Sequence, residues 1–141
     1  MNDQASDNDR MLPLTEAIAR QGHDAPVNEA LIRRLVDTFY EDIRRDEMLG
    51  PIFDRHIKDW SLHLPKMYSF WSTVVLHTGQ YSGRPLEAHQ RLGGLTQAHF
   101  DRWLQIWSAT VSRIVPTGFQ RVFTLSAGRM AASMASHIVR C

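Results

Sequence analysis

The 141-residue sequence predicts an all-α protein with one principal domain. Three observations point there. Long stretches carry apolar residues three and four positions apart, the period of a helix with one buried face. No stretch sustains the alternation with period two that a half-buried strand requires. Between the periodic stretches stand glycines, prolines and helix-capping residues. The length suffices for a single sizeable core.

Composition excludes several classes of function. Hydrophobic residues make up 43% and charged residues 22%, with a formal net charge of +1. Acids and bases alternate along the chain, so nothing favours nucleic acid or an anionic membrane as a partner. No apolar run approaches the roughly 18–20 residues of a membrane span. The opening MNDQASDNDRMLPLTEA has neither a basic n-region nor an apolar h-region, so it does not read as a secretory signal. The single cysteine, Cys141, allows no intrachain disulfide and fits a reducing compartment. A cytoplasmic protein is expected, its oligomeric state left open between monomer and weak dimer.

In chain order, residues 1–27 read as an N-terminal extension and 28–141 as the folded domain. The first eleven or so residues are polar and acidic, and Leu12 to Gln21 is a short helix candidate ended by Gly22. Asn28 is a good N-cap for a helix over about 28–46. Leu31, Ile32, Leu35, Val36, Phe39, Tyr40 and Ile43 form its apolar stripe. Gly50-Pro51 breaks that helix and returns Phe53 to the core. A second long helix over about 57–77 is apolar around most of its circumference, from Trp60 to Leu76. Pro65 forces it either to begin near that residue or to kink there. A turn-rich loop, 78–85, precedes a short apolar segment carrying His89, too short to be a stable helix alone. The pair Gly93-Gly94 ends it.

Thr96 caps a helix over about 97–115 that carries Phe100, Trp103, Leu104 and Trp107, and Pro116 stops it. Thr117 and Gln120 have capping-box spacing and open the last helix, about 118–139. Val122, Phe123, Leu125, Ser126, Met130, Ala131, Met134, His137 and Ile138 are its expected inner side. The small residues from Ala127 to Ala135 permit close packing.

His89 is the first candidate for chemistry. An isolated histidine on a short segment beside a Trp-rich helix suits axial ligation of the iron in a flat, apolar haem ring. Spacing alone reads it more readily as an exposed histidine near the end of a short helix. His63 shares a face with Met67 one turn on. With Tyr40 and Trp103 it would line the opposite side of a pocket, where O–H and N–H donors meet a bound diatomic ligand. Large aromatics on apolar helix faces also serve simply as core. His99 is a rival ligand near a helix start. His56, His77, His23 and His137 show no readable partners. Zinc, P-loop, dinucleotide and nucleophile-elbow motifs are absent from the sequence.

Four pieces in order carry a resemblance. They are F-Y-E-D-I-R-R-D-x-x-L-G-P-I-F at 39–53, H-x(6)-F-W at 63–71, G-x-Y-x-G-x-P-L-x-x-H at 79–89, and H-F-D-R-W-L at 99–104. From about Glu29 to Arg140 the chain resembles a group III truncated haemoglobin. The resemblance implies a globin-like two-over-two helical sandwich holding haem b. No C-x-x-C-H motif exists for covalent attachment, so an axial ligand and packing must hold it. It implies His89 as the proximal iron ligand, and Tyr40, His63 and Trp103 as distal residues with Met67 beside them. Phe53, Phe70, Trp71 and Arg84 are the expected haem contacts. The chain departs from the pattern in its long N-terminal extension and in the glycines after His89.

The function expected is reversible binding of O₂ and related ligands (NO, CO, cyanide or sulfide). Three donors around one site favour redox or detoxification chemistry, of an NO dioxygenase or peroxidase kind, over bulk transport. Such chemistry needs an external reductase. The alternative is a cofactor-free helical bundle acting as a binding or sensory scaffold.

Overall fold

A computed structural model describes residues 26–139, and every element in it is helical. The expected helix at Leu12–Gln21, His23 and Cys141 lie outside the described residues. Val27, placed with the extension above, is 1% exposed and belongs to the main core.

Helix α1 spans Glu29–Arg45. The Asn28 side chain accepts a hydrogen bond from Leu31 N at 2.9 Å, Glu29 lies in the first turn, and Arg44 and Arg45 in the last. These placements match the helix dipole at both ends. Its buried face is Ile32, Leu35, Val36, Phe39, Tyr40 and Ile43, all from the predicted stripe. The chain then turns on Asp46, whose carboxylate accepts from Leu49 N at 2.9 Å and from Arg102 Nε at 2.8 Å. Helix α2, Gly50–His56, starts so close to α1 that a Cβ on Gly50 would lie 2.7 Å from the Arg44 carbonyl oxygen. Only glycine fits there.

Helix α3, Trp60–Leu76, is N-capped by Asp59, which accepts from Ser61 N at 2.9 Å. It continues through Pro65, so of the two expectations a start at that residue is corrected. The proline deprives only the Ser61 carbonyl of its helical partner, and Ser61 is exposed, so water satisfies it. The helix is less enclosed than its composition predicts. Trp71, Ser72 and Val75 are buried, Leu62 is 64% exposed, and Leu64, Met67, Phe70 and Val74 are half-buried. His77 ends it in the left-handed conformation, φ 59° and ψ 37°.

Helix α4, Pro85–Gln90, carries His89, and Gly93 and Gly94 follow with φ of 68° and 70°. Helix α5 spans Gln97–Ile114. A 3₁₀ turn, Thr117–Phe119, leads into α6, Gln120–Ile138. The capping box expected at Thr117 does not form. Gln120 Nε2 instead donates to the Val115 carbonyl at 2.8 Å, satisfying the end of α5. A box forms at Thr96, where His99 Nδ1 accepts from Thr96 N at 2.9 Å.

Helix α1 packs on both α3 and α5, and α5 on α6, while α4 lies against α6. The α1–α3 pair thus sits over the α5–α6 pair. Ala127, Ala131 and Ala135, four residues apart, are the buried ridge of α6 that lets it approach α5. Leu125, 43% exposed, and His137 point out of the core, contrary to expectation. At the centre Trp107 is fully buried and donates its indole N–H to the Phe123 carbonyl at 3.2 Å. Trp71 stacks on it at 4.3 Å between ring centroids, and Phe39 meets it edge-on at 4.9 Å. Among the described residues no helix is long and apolar enough to cross a membrane.

Candidate functional site

Tyr40 lies in the third turn of α1, on the face turned to α3, and is 8% exposed. Burial pushes its phenol far above the ordinary tyrosine range, so it stays a proton donor at any physiological pH. His63 meets the Tyr40 ring edge-on at 5.2 Å. Its Nε2 atom is buried and without a hydrogen-bond partner among the described residues. Burial first, then the nearby charges of Lys66 and His89, lower its pKa below 6.5 and keep it neutral. His63 stands on α3 and His89 on α4.

His89 is half-buried. Its Nδ1 lies 2.6 Å from the Pro85 carbonyl, which can only accept, so Nδ1 carries the proton. In the neutral imidazole that tautomer leaves the lone pair on Nε2. A six-residue helix opened by proline is rigid enough to make that bond and short enough to be set by it.

The remaining predicted residues lie as follows. Phe53 meets Tyr40 edge-on at 5.9 Å, and Met67 and Phe70 are half-buried against the core. Trp103 packs on Phe39 at 5.5 Å and lies parallel to Trp107 at 6.0 Å, joined to Tyr40 through the shared Phe39. Trp71 is deeper, stacked on Trp107, and touches Phe70 edge-on at 5.5 Å. Arg84 stays exposed and pairs with Glu87 at 3.4 Å. It borders a groove of about 350 Å³ between α4 and α6, lined also by Pro85, Leu86, Met130 and Met134. His99 is occupied as a helix cap, which removes it as a rival ligand. Among the described residues, no three of His, Cys, Asp and Glu are grouped to hold a bare metal ion.

Sequence reasoning missed Trp60. It meets Tyr40 at 5.4 Å and His63 at 5.6 Å, both edge-on. Its i, i+3 spacing from His63 was the available signal.

A partnerless buried imidazole, a second imidazole with its Nε2 lone pair free, and half-buried apolar side chains fit a flat apolar group ligated at its centre. Comparison with known proteins bears directly on this. The family model for bacterial-like globins matches residues 23–136. The chain belongs to the bacterial-like globins. This globin is 32% identical over 111 residues to the group 3 truncated hemoglobin ctb of Campylobacter jejuni, covering 76% of this chain and 87% of that protein. The crystal structure of a group III truncated hemoglobin from Campylobacter jejuni superposes with a TM-score of 0.77 at 29% identity, covering 81% of this chain and 93% of that one. THB1 of Chlamydomonas reinhardtii superposes with a TM-score of 0.61 at 28% identity, covering 92% and 100%. The two-over-two sandwich is therefore that of a truncated globin, and the protein is a haem-binding globin for small gaseous ligands. Family membership decides against the cofactor-free scaffold.

Proposed function

We propose that this globin holds haem b through His89 Nε2 and handles O₂ and related small ligands such as NO, CO, cyanide or sulfide in redox or detoxification chemistry rather than bulk transport. The observation that supports this reading is the His89 hydrogen bond to Pro85, which engages Nδ1, orients the ring and keeps Nε2 out of that bond. Haem supplies an iron that binds a diatomic molecule and exchanges electrons with it.

The chain's own groups define the rest. Tyr40 offers a phenol O–H that burial keeps protonated. His63 offers a neutral imidazole whose Nε2 has no internal partner. Trp103 offers an indole N–H and accepts nothing. Donors favour a ligand that gathers negative charge, so they retain it and assist its reduction. Met67, Phe53 and Phe70 supply apolar walls, and Trp71 backs Phe70 from the core. Arg84 offers a cation to a haem carboxylate, with Glu87 competing for it. Turnover requires a reductase of the same compartment, which we place in the cytoplasm.

Visible spectra of the purified protein and a His89→Ala variant, in ferric, dithionite-reduced and CO-bound forms, test the reading. An intense Soret band in the wild type, weak or altered in the variant, is expected. A colourless wild type that refuses added hemin would overturn it.

A further inference from the structure

The His63 ring is buried at one nitrogen and that nitrogen makes no hydrogen bond. That nitrogen therefore does not anchor the imidazole, and the rings packed on it help to decide where it sits. Two rings do so. Tyr40 meets it at 5.2 Å and 84°, and Trp60 at 5.6 Å and 89°, while Trp60 and Tyr40 meet each other at 5.4 Å and 60°. The three form a closed triangle of edge contacts, the favourable geometry for aromatic quadrupoles.

Trp60 is held from outside. The Arg44 guanidinium carbon lies 4.7 Å from its ring centroid, and Arg44 Nε is 3.6 Å from Asp54. A cation over an indole face is attractive, most strongly for tryptophan. Arg44 ends α1, Asp54 belongs to α2 and Trp60 opens α3, so three elements converge on one indole.

We propose that Trp60, clamped by Arg44, is a positioning residue that turns the His63 imidazole toward Tyr40 and so limits its access to the iron. The inference rests on the haem reading above. Its effect on iron coordination runs through His63, although its ring also meets Tyr40.

The test uses the haem-loaded full chain. Trp60→Ala, Trp60→Phe and Arg44→Gln are made in the wild-type and His63→Leu backgrounds. The first readout is the His63 ring-proton resonances in the diamagnetic CO form, which the flanking aromatic edges displace. The second is the ratio of six-coordinate low-spin to other ferric forms. Trp60→Ala is expected to relax the resonances and move the ratio about two- to tenfold, the range for one lost aromatic pair. Arg44→Gln, a surface change, moves both in the same direction by less, and Trp60→Phe restores most of the wild-type values. In the His63→Leu background the ratio stays still. Unchanged His63 resonances, or an equal shift without His63, would overturn the proposal. A wild type with no Soret band would instead remove the haem reading itself.

Discussion

The His89 imidazole leans back along its own helix to the Pro85 carbonyl, 2.6 Å from Nδ1. That bond selects one tautomer and one ring orientation before anything binds at Nε2. Cutting the imidazole free of its backbone should preserve ligation and lose the orientation. In His89→Gly, added imidazole is expected to restore a Soret band that the variant alone lacks. The band should return at imidazole concentrations well above protein, as expected for a ligand without its tether. Failure of any imidazole to restore colour would mean that His89 holds the helix rather than the iron.

Tyr40 and Trp103 reach the site from α1 and α5, linked by Phe39. Each donor is worth about 1 kcal/mol to a bound ligand that accepts from it. Tyr40→Phe together with Trp103→Phe is expected to speed O₂ release about 10- to 100-fold. Stopped-flow displacement by CO measures this directly, and an unchanged rate would rule out the donor network.

His63 is kept neutral by burial and by its charged neighbours, with a folded-state pKa below 6.5. The unfolded chain takes up a proton there at higher pH than the folded one. Stability from this group is therefore complete above pH 6.5 and is lost as pH falls from there through the lower folded value. Denaturant unfolding across that window should show a steeper acid loss for the wild type than for His63→Leu. Identical slopes would mean that His63 charges without cost in the folded state.

His77 sits at φ 59° with a side chain that this region disfavours. It is exposed, and its backbone N–H still bonds to the Thr73 carbonyl at 3.1 Å. His77→Gly keeps that bond and relieves the strain, for an expected gain of roughly 1 kcal/mol. The midpoint of denaturant unfolding reports it.

Amphipathic period made α1 legible to within a residue at each end, because its face toward solvent is mostly charged. The composition of α3 was misleading in an instructive way. A helix apolar all round implied enclosure on several sides, yet Leu64, Met67 and Phe70 are only half covered by protein. Residues that shape a cofactor pocket look like core in a sequence, since both need the same apolar atoms. The Thr117–Gln120 spacing failed because the Gln120 side chain reaches back five residues to the Val115 carbonyl at the end of α5 instead of closing a box with Thr117. His89 stood out by its short isolated segment and His63 by sharing a face with Met67, but neither mark was specific until chain order suggested a family. Trp60 was read as one more apolar residue, since its significance lies in Arg44 above it and His63 beside it.

The segment between His77 and Thr96 carries the histidine proposed to bind iron, and left-handed residues stand at both ends of it: His77 and Gly79 on one side, Gly93 and Gly94 on the other. Tyr40, His63 and Trp103 all belong to long helices outside it. The histidine proposed to bind iron and the proposed donors thus stand on separate segments of the chain. Transplanting residues 78–95 from a relative would alter the ligand and tension on the metal while leaving the donor array as it stands. An engineer could tune the two faces of the cofactor as separate variables.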